Sequence, residues 1–134
     1  SSVAHDSHNV IAVGASDEEL CRALNAVMEH RGGLAVAEGN SVQVLPLGIA
    51  GLMSPEEGYT VARRYMELDA AAKRLGSPLR APFMTLSFMA LLVIPTLKLS
   101  DRGLFDGRAF RFVSLCAEQE EAGGGMQSTA VSSR

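Results

Sequence analysis

Ser16-Asp17-Glu18-Glu19-Leu20-Cys21-Arg22-Ala23-Leu24-Asn25-Ala26-Val27-Met28-Glu29-His30-Arg31-Gly32-Gly33-Leu34-Ala35-Val36-Ala37 changes from helical to strand periodicity within one run. Ser16 with Glu19 three residues on forms a capping box, and Asp17 and Glu18 sit at the positive end of the helix dipole. Leu20, Leu24, Val27 and Met28 then line one helix face. His30 and Arg31 close the last turn, and Gly32-Gly33 ends it. Beyond the glycines, Leu34–Ala37 and Val42–Leu45 flank Glu38-Gly39-Asn40, the signature of a hairpin. Upstream, Val10-Ile11-Ala12-Val13 reads as a short buried strand that Gly14-Ala15 turns into the helix. This order of elements predicts an α/β or α+β domain, a mixed β-sheet packed with amphipathic helices.

Working outward, Leu47 to Met53 is an apolar, glycine-bearing connection, and its glycines are expected to serve tight packing. Ser54-Pro55-Glu56-Glu57 is a second capping box with proline at the first helical position. Val61, Tyr65, Leu68, Ala72 and Leu75 form the buried stripe of a helix running to Gly76. The segment Phe83 to Ile94, bounded by Pro82 and Pro95, is too short to cross a bilayer. It predicts a buried element or a subunit-facing surface, with Met84, Phe88 and Met89 in the core and a homo-oligomer left open. Leu97-Lys98-Leu99 alternates as a strand, Ser100 to Gly103 turns, and Phe110 to Val113 alternates again. From Glu118 onward acids, glycines and a Ser/Thr-rich end cannot bury enough apolar surface to order themselves. A single domain over 1–117 with a disordered tail over 118–134 is therefore expected.

The formal charge is -3 and no Lys/Arg cluster exceeds a pair, which excludes an electrostatic footprint for nucleic acid or an anionic membrane. Cys21 and Cys116 stand far apart without CxxC spacing, so they predict reduced, small core thiols in a cytoplasmic protein. The chain has no initiator Met and a structured motif almost at its first residue, which predicts a piece of a longer protein.

Chemistry concentrates in His5-Asp6-Ser7-His8-Asn9, where every side chain moves a proton, donates, accepts or binds a metal. Two histidines at HxxH spacing with Asp6 as an orienting partner do not complete a tetrahedral metal site, which needs three or four protein ligands. Ser7 between Asp6 and His8 has the residue types of a triad, yet neighbours in sequence point in divergent directions. The pentad read alone stays open between a chemical site and a hydrogen-bonded turn capping a sheet.

Val3-Ala4-His5-Asp6-Ser7-His8-Asn9, Pro46-Leu47-Gly48-Ile49-Ala50-Gly51-Leu52-Met53-Ser54, Pro82-Phe83-Met84-Thr85-Leu86-Ser87-Phe88 and Ile94-Pro95 with Leu97-Lys98-Leu99-Ser100-Asp101-Arg102-Gly103-Leu104 together resemble the C-terminal domain of bacterial adenine deaminase, of the amidohydrolase superfamily. The resemblance implies hydrolysis of adenine to hypoxanthine and ammonia in purine salvage. It also implies an N-terminal (β/α)8 barrel as partner, carrying manganese, iron or zinc. This chain has no HxH motif, so no metal ligand transfers to it, and alone it is expected to be inactive. On this reading His5, Asp6 and His8 are near-site catalytic candidates, and Asn9 and Ser7 are substrate-binding candidates for adenine. The rival readings are a stand-alone purine-binding module and a structural or oligomerisation module.

Overall fold

A computed structural model describes residues 1–5 and 8–116. The tail expected over 118–134 lies outside these residues. Three helices and two antiparallel sheets make an α+β domain, with α1 (Asp17–Glu29), β1 (Gly33–Glu38), β2 (Ser41–Pro46), α2 (Gly58–Arg74), α3 (Pro82–Met89), β3 (Leu97–Ser100), β4 (Gly103–Asp106) and β5 (Arg111–Val113) in chain order. The expected mixed sheet is instead two separate sheets, the hairpin β1-β2 and the meander β3-β4-β5.

Helix α1 forms where the capping box places it, and the Ser16 hydroxyl accepts the Glu19 N–H at 3.3 Å. Glu19 does more than close the box. One carboxylate oxygen accepts the Gly39 N–H at 2.8 Å and the other accepts the Ser16 hydroxyl at 3.1 Å. The Gly39 amide, the Ser16 hydroxyl and nearby Arg22 hold the Glu19 carboxyl below the usual glutamate range. Helix start and hairpin turn are thus tied by one side chain.

The end of α1 departs from the glycine stop. His30 is the C-cap and Arg31 takes the left-handed position at φ 58°, with Arg31 N–H donating to Met28 O and Gly32 N–H to Val27 O. This is a Schellman closure with arginine at its left-handed residue. Gly32 and Gly33 are reserved for a different constraint. A Cβ on Gly32 would lie 2.3 Å from Gly51 Cα, and one on Gly33 would lie 2.3 Å from the Leu45 carbonyl oxygen. Only hydrogen fits at either place. The glycines of the Leu47–Met53 connection have room for a Cβ, with nearest atoms at 3.6 Å for both Gly48 and Gly51, so close packing does not require them, and Gly51 is set apart by its left-handed φ of 75°.

The hairpin runs in register from Gly33↔Pro46 to Glu38↔Ser41. Its inward residues Leu34 and Leu45 meet Leu47, Leu68 of α2 and Phe83 of α3 in the core, with Val3, Val61 and Tyr65 packed around them. The second helix begins later than its capping box suggests. Glu57, not Ser54, is the N-cap, because its carboxylate accepts from both Tyr59 N–H and Thr60 N–H at 3.0 Å, while Ser54 Oγ only receives Glu56 N–H. A charged acceptor that satisfies two orphan amides outcompetes a hydroxyl that satisfies one.

Four other expectations are corrected. Val10–Val13 forms no strand. Ile11 exchanges both backbone hydrogen bonds with Ser1, but the ladder does not propagate, and Val13 is 80% exposed. Met84, Phe88 and Met89 are exposed rather than core, because α3 has only two turns and buries the Phe83/Ser87 face. Cys21 and Cys116 are both exposed, Cys21 on the face of α1 away from Val27 and Cys116 beyond β5. The strand β4 was not anticipated, since Leu104-Phe105 shows no alternation, yet it pairs with both β3 and β5.

Two outcomes test this account. Gly33→Ala, which drives a Cβ into the Leu45 carbonyl at a φ of 145°, should cost more than about 3 kcal/mol in urea unfolding. Gly39→Ala, with open space around it, should cost only about 1 kcal/mol. The depressed Glu19 carboxyl gives the second. A lowered folded-state pKa adds stability that is complete above the unfolded value and lost as pH falls through the folded one. Thermal melts should therefore place Glu19→Gln below the parent near neutral pH, with the gap closing below the ordinary glutamate range.

Candidate functional site

The pentad sits on a loop whose two ends are clipped together. Ser1 N–H donates to Ile11 O and Ile11 N–H to Ser1 O, each at 2.9 Å, so residues 1 and 11 lie side by side. The outgoing limb is anchored. Ser2 N–H donates to Gly33 O at 2.9 Å, the Ser2 hydroxyl accepts Gly33 N–H at 2.8 Å and donates to Gly51 O at 2.6 Å, and Ala4 is wholly buried. His5 N–H then donates to Ser87 O at 2.9 Å, fastening the loop to α3.

Past this anchor the chain turns outward. The His5 ring is exposed but not free, because it stacks on Phe88 with centroids 4.6 Å apart and planes 27° from parallel. Offset stacking of this kind restrains a ring while leaving its nitrogens accessible. His8 and Asn9 are exposed on the returning limb. Asp6 and Ser7 lie outside the described residues. The structure thus holds His5, His8 and Asn9 on one loop and brings His5 together with Phe88, a residue the sequence reading had placed in the core.

Among the described residues no three His, Cys, Asp or Glu side chains gather closely enough to hold a metal ion. His30 stands apart from the loop, its Nδ1 2.8 Å from Ala26 O at the end of α1. These residues do not fit a catalytic metal centre. No helix among them is long and apolar enough to cross a membrane.

A second feature escaped the sequence. An apolar groove of about 820 Å³ opens beside the loop, walled by Ile11 to Ala15, α1, β1, α3 and β3. Lys98 lines it at only 8% exposure, whereas its neighbours Leu97 and Leu99 are exposed. Alternation in Leu97-Lys98-Leu99 marks a strand but does not say that the lysine is the inward residue, so no signal in the sequence could have found it.

Comparison with known proteins gives this loop and groove a context. Residues 1–111 match the model of the adenine deaminase C-terminal domain. An adenine deaminase of Salinibacter ruber is 67% identical over 115 residues, covering 84% of this chain and 21% of the relative. Adenine deaminases of Sulfurovum sp. and Methanosarcina acetivorans are 57% and 54% identical over 87% and 89% of the chain, each match covering 22% of the relative. The chain spans about a fifth of the length of the curated relatives it matches. A family match that runs unbroken through the anchored loop, both helices of the core and the first two strands of the meander means that this chain belongs to the adenine deaminase C-terminal domain family.

Proposed function

We propose that this chain is the C-terminal part of an adenine deaminase, a C–N hydrolase of purine salvage, and that its loop brings polar groups to a reaction centre built by the rest of the protein. In that reaction water adds at C6 of adenine, the exocyclic amino group leaves as ammonia, and hypoxanthine remains. Activating water for attack at neutral pH needs a metal or an equally strong base. The described residues assemble neither, so we assign the metal, manganese, iron or zinc, to an N-terminal (β/α)8 barrel outside this chain, and the chain alone is inactive.

The observation that carries the reading is the loop itself, clipped at Ser1/Ile11, pinned at His5 and exposed beyond it. An unsupported polar turn would not hold side chains in place. Here two backbone bonds at Ser1/Ile11 and the stack of His5 on Phe88 restrain the described residues of the loop. Imidazole exchanges protons near neutral pH, which suits His5 and His8 to move a proton toward the departing ammonia. Asn9 offers a donor and an acceptor to the purine edge. Asp6 and Ser7, outside the described residues, have the residue types for orienting an imidazole and for hydrogen-bonding the substrate. Two exposed thiols suit a reducing, cytoplasmic setting.

The test is ammonia release from adenine, with manganese or iron added, by this chain alone and by the chain extended upstream with its own coding sequence. Turnover is expected only in the extended form. There His5→Ala and His8→Ala should each lower kcat by about 10²-fold or more at unchanged folding. Normal turnover in both variants would remove the catalytic role from the loop, and turnover by the short chain would overturn the division of labour.

A further inference from the structure

Three extended walls of the groove beside the loop each have one side unpaired among the described residues. Among the described residues β1 is paired only with β2 and β3 only with β4, so each is an edge strand, and both line the groove. The same groove is lined by Ile11 to Val13, whose pairing stops at Ser1. Unpaired backbone amides and carbonyls beside apolar side chains are a template for an added strand. Val13, at 80% exposure, and Leu99, at 65%, are apolar side chains on these walls that no described residue covers.

Lys98 adds charge to the same place. It is more than nine-tenths buried and lines the groove, and among the described residues no carboxylate oxygen lies within 4.0 Å of its ammonium. A cation beside an apolar groove with no carboxylate against it is complementary to an occupant that carries one. About four-fifths of the relatives' length lies outside this chain, so the longer protein has ample sequence to supply such an occupant.

We infer that the groove receives a β-strand from the part of the longer protein outside this chain. The strand pairs its backbone with the open edges, covers Val13, Leu97 and Leu99 with alternate apolar side chains, and sets one Asp or Glu against Lys98. The inference rests on the reading of the chain as part of a longer deaminase. It adds that the interface is a completed sheet with one ion pair, rather than two finished domains in contact.

Hydrogen–deuterium exchange, read on this chain and on its upstream-extended form, tests it. Amides of 10–13, 35–37 and 97–99 should slow by about tenfold or more in the extended protein. Lys98→Glu in the extended protein should abolish that slowing and Lys98→Arg should keep it, while exchange in β2 stays unchanged in both as the sign of an intact core. Equal exchange of the groove amides in the two forms, in an extended protein that deaminates adenine, overturns the inference and leaves the proposed function standing. Absent turnover with the groove amides slowed would instead sink the proposed function and keep the added strand. Protection that rises with concentration in the short chain alone, together with a doubled mass, would make the occupant a second copy and overturn the inference.

Discussion

Everything in this fold depends on one crossing of backbones at Gly32-Gly33. There the end of α1, the start of β1, the N-terminal segment and the Leu47–Met53 connection pass within contact of one another. The Ser2 hydroxyl sits between them, accepting from Gly33 N–H and donating to Gly51 O, while Leu47 N–H donates to Gly32 O at 3.0 Å. Four polar backbone groups are satisfied in a place where water has little access, which removes a desolvation cost of about 1–3 kcal/mol for each. No side chain larger than hydrogen is compatible with this geometry at either glycine.

The crossing also determines where chemistry is presented. Because Ser2 is held against the hairpin, Ala4 must bury and His5 must emerge next to α3, where Ser87 O and the Phe88 ring receive it. The loop's direction is thus a consequence of core packing three residues upstream. Residues that look remote from any reaction, Ser2, Gly33 and Gly51, act as its foundation.

Much of this was legible in the sequence, and the parts that were not share a cause. Helix α1, the β1-β2 hairpin and the α2 stripe from Val61 to Ala72 carry their information locally, in caps, turn residues and periodicity, so they read correctly, whereas Leu75 at the C-cap is exposed. The start of α2 misread because Ser54 and Glu57 are both competent caps and only the three-dimensional fit of a carboxylate to two amides decides between them. Val10–Val13, Met84 and Met89 misread because hydrophobicity reports that a residue needs cover without saying which chain supplies it. In the pentad the sequence showed the residue types, while the clip at Ser1/Ile11 and the Phe88 stack rest on contacts between distant segments and left no local trace.

Among the exposed apolar residues Val13, Met89, Leu97 and Leu99 border the groove, whereas Val10, Met84 and Phe88 lie outside it. A sequence evolved for a domain that ends at this groove would be expected to put charge on the outward positions of an edge strand such as β3, the usual protection against unwanted pairing. Here the order is inverted: the leucines face out and the lysine faces in. Such an inversion is unfavourable for an isolated domain and favourable for one whose sheet is finished by another segment, since the leucines then gain about 1.5–3 kcal/mol each on burial and the lysine gains a counter-charge. The groove wall and the anchored loop meet where Ser1 pairs with Ile11. Completing the sheet would therefore stiffen the base of the loop, so that packing against the rest of the protein and orienting the pentad become one event.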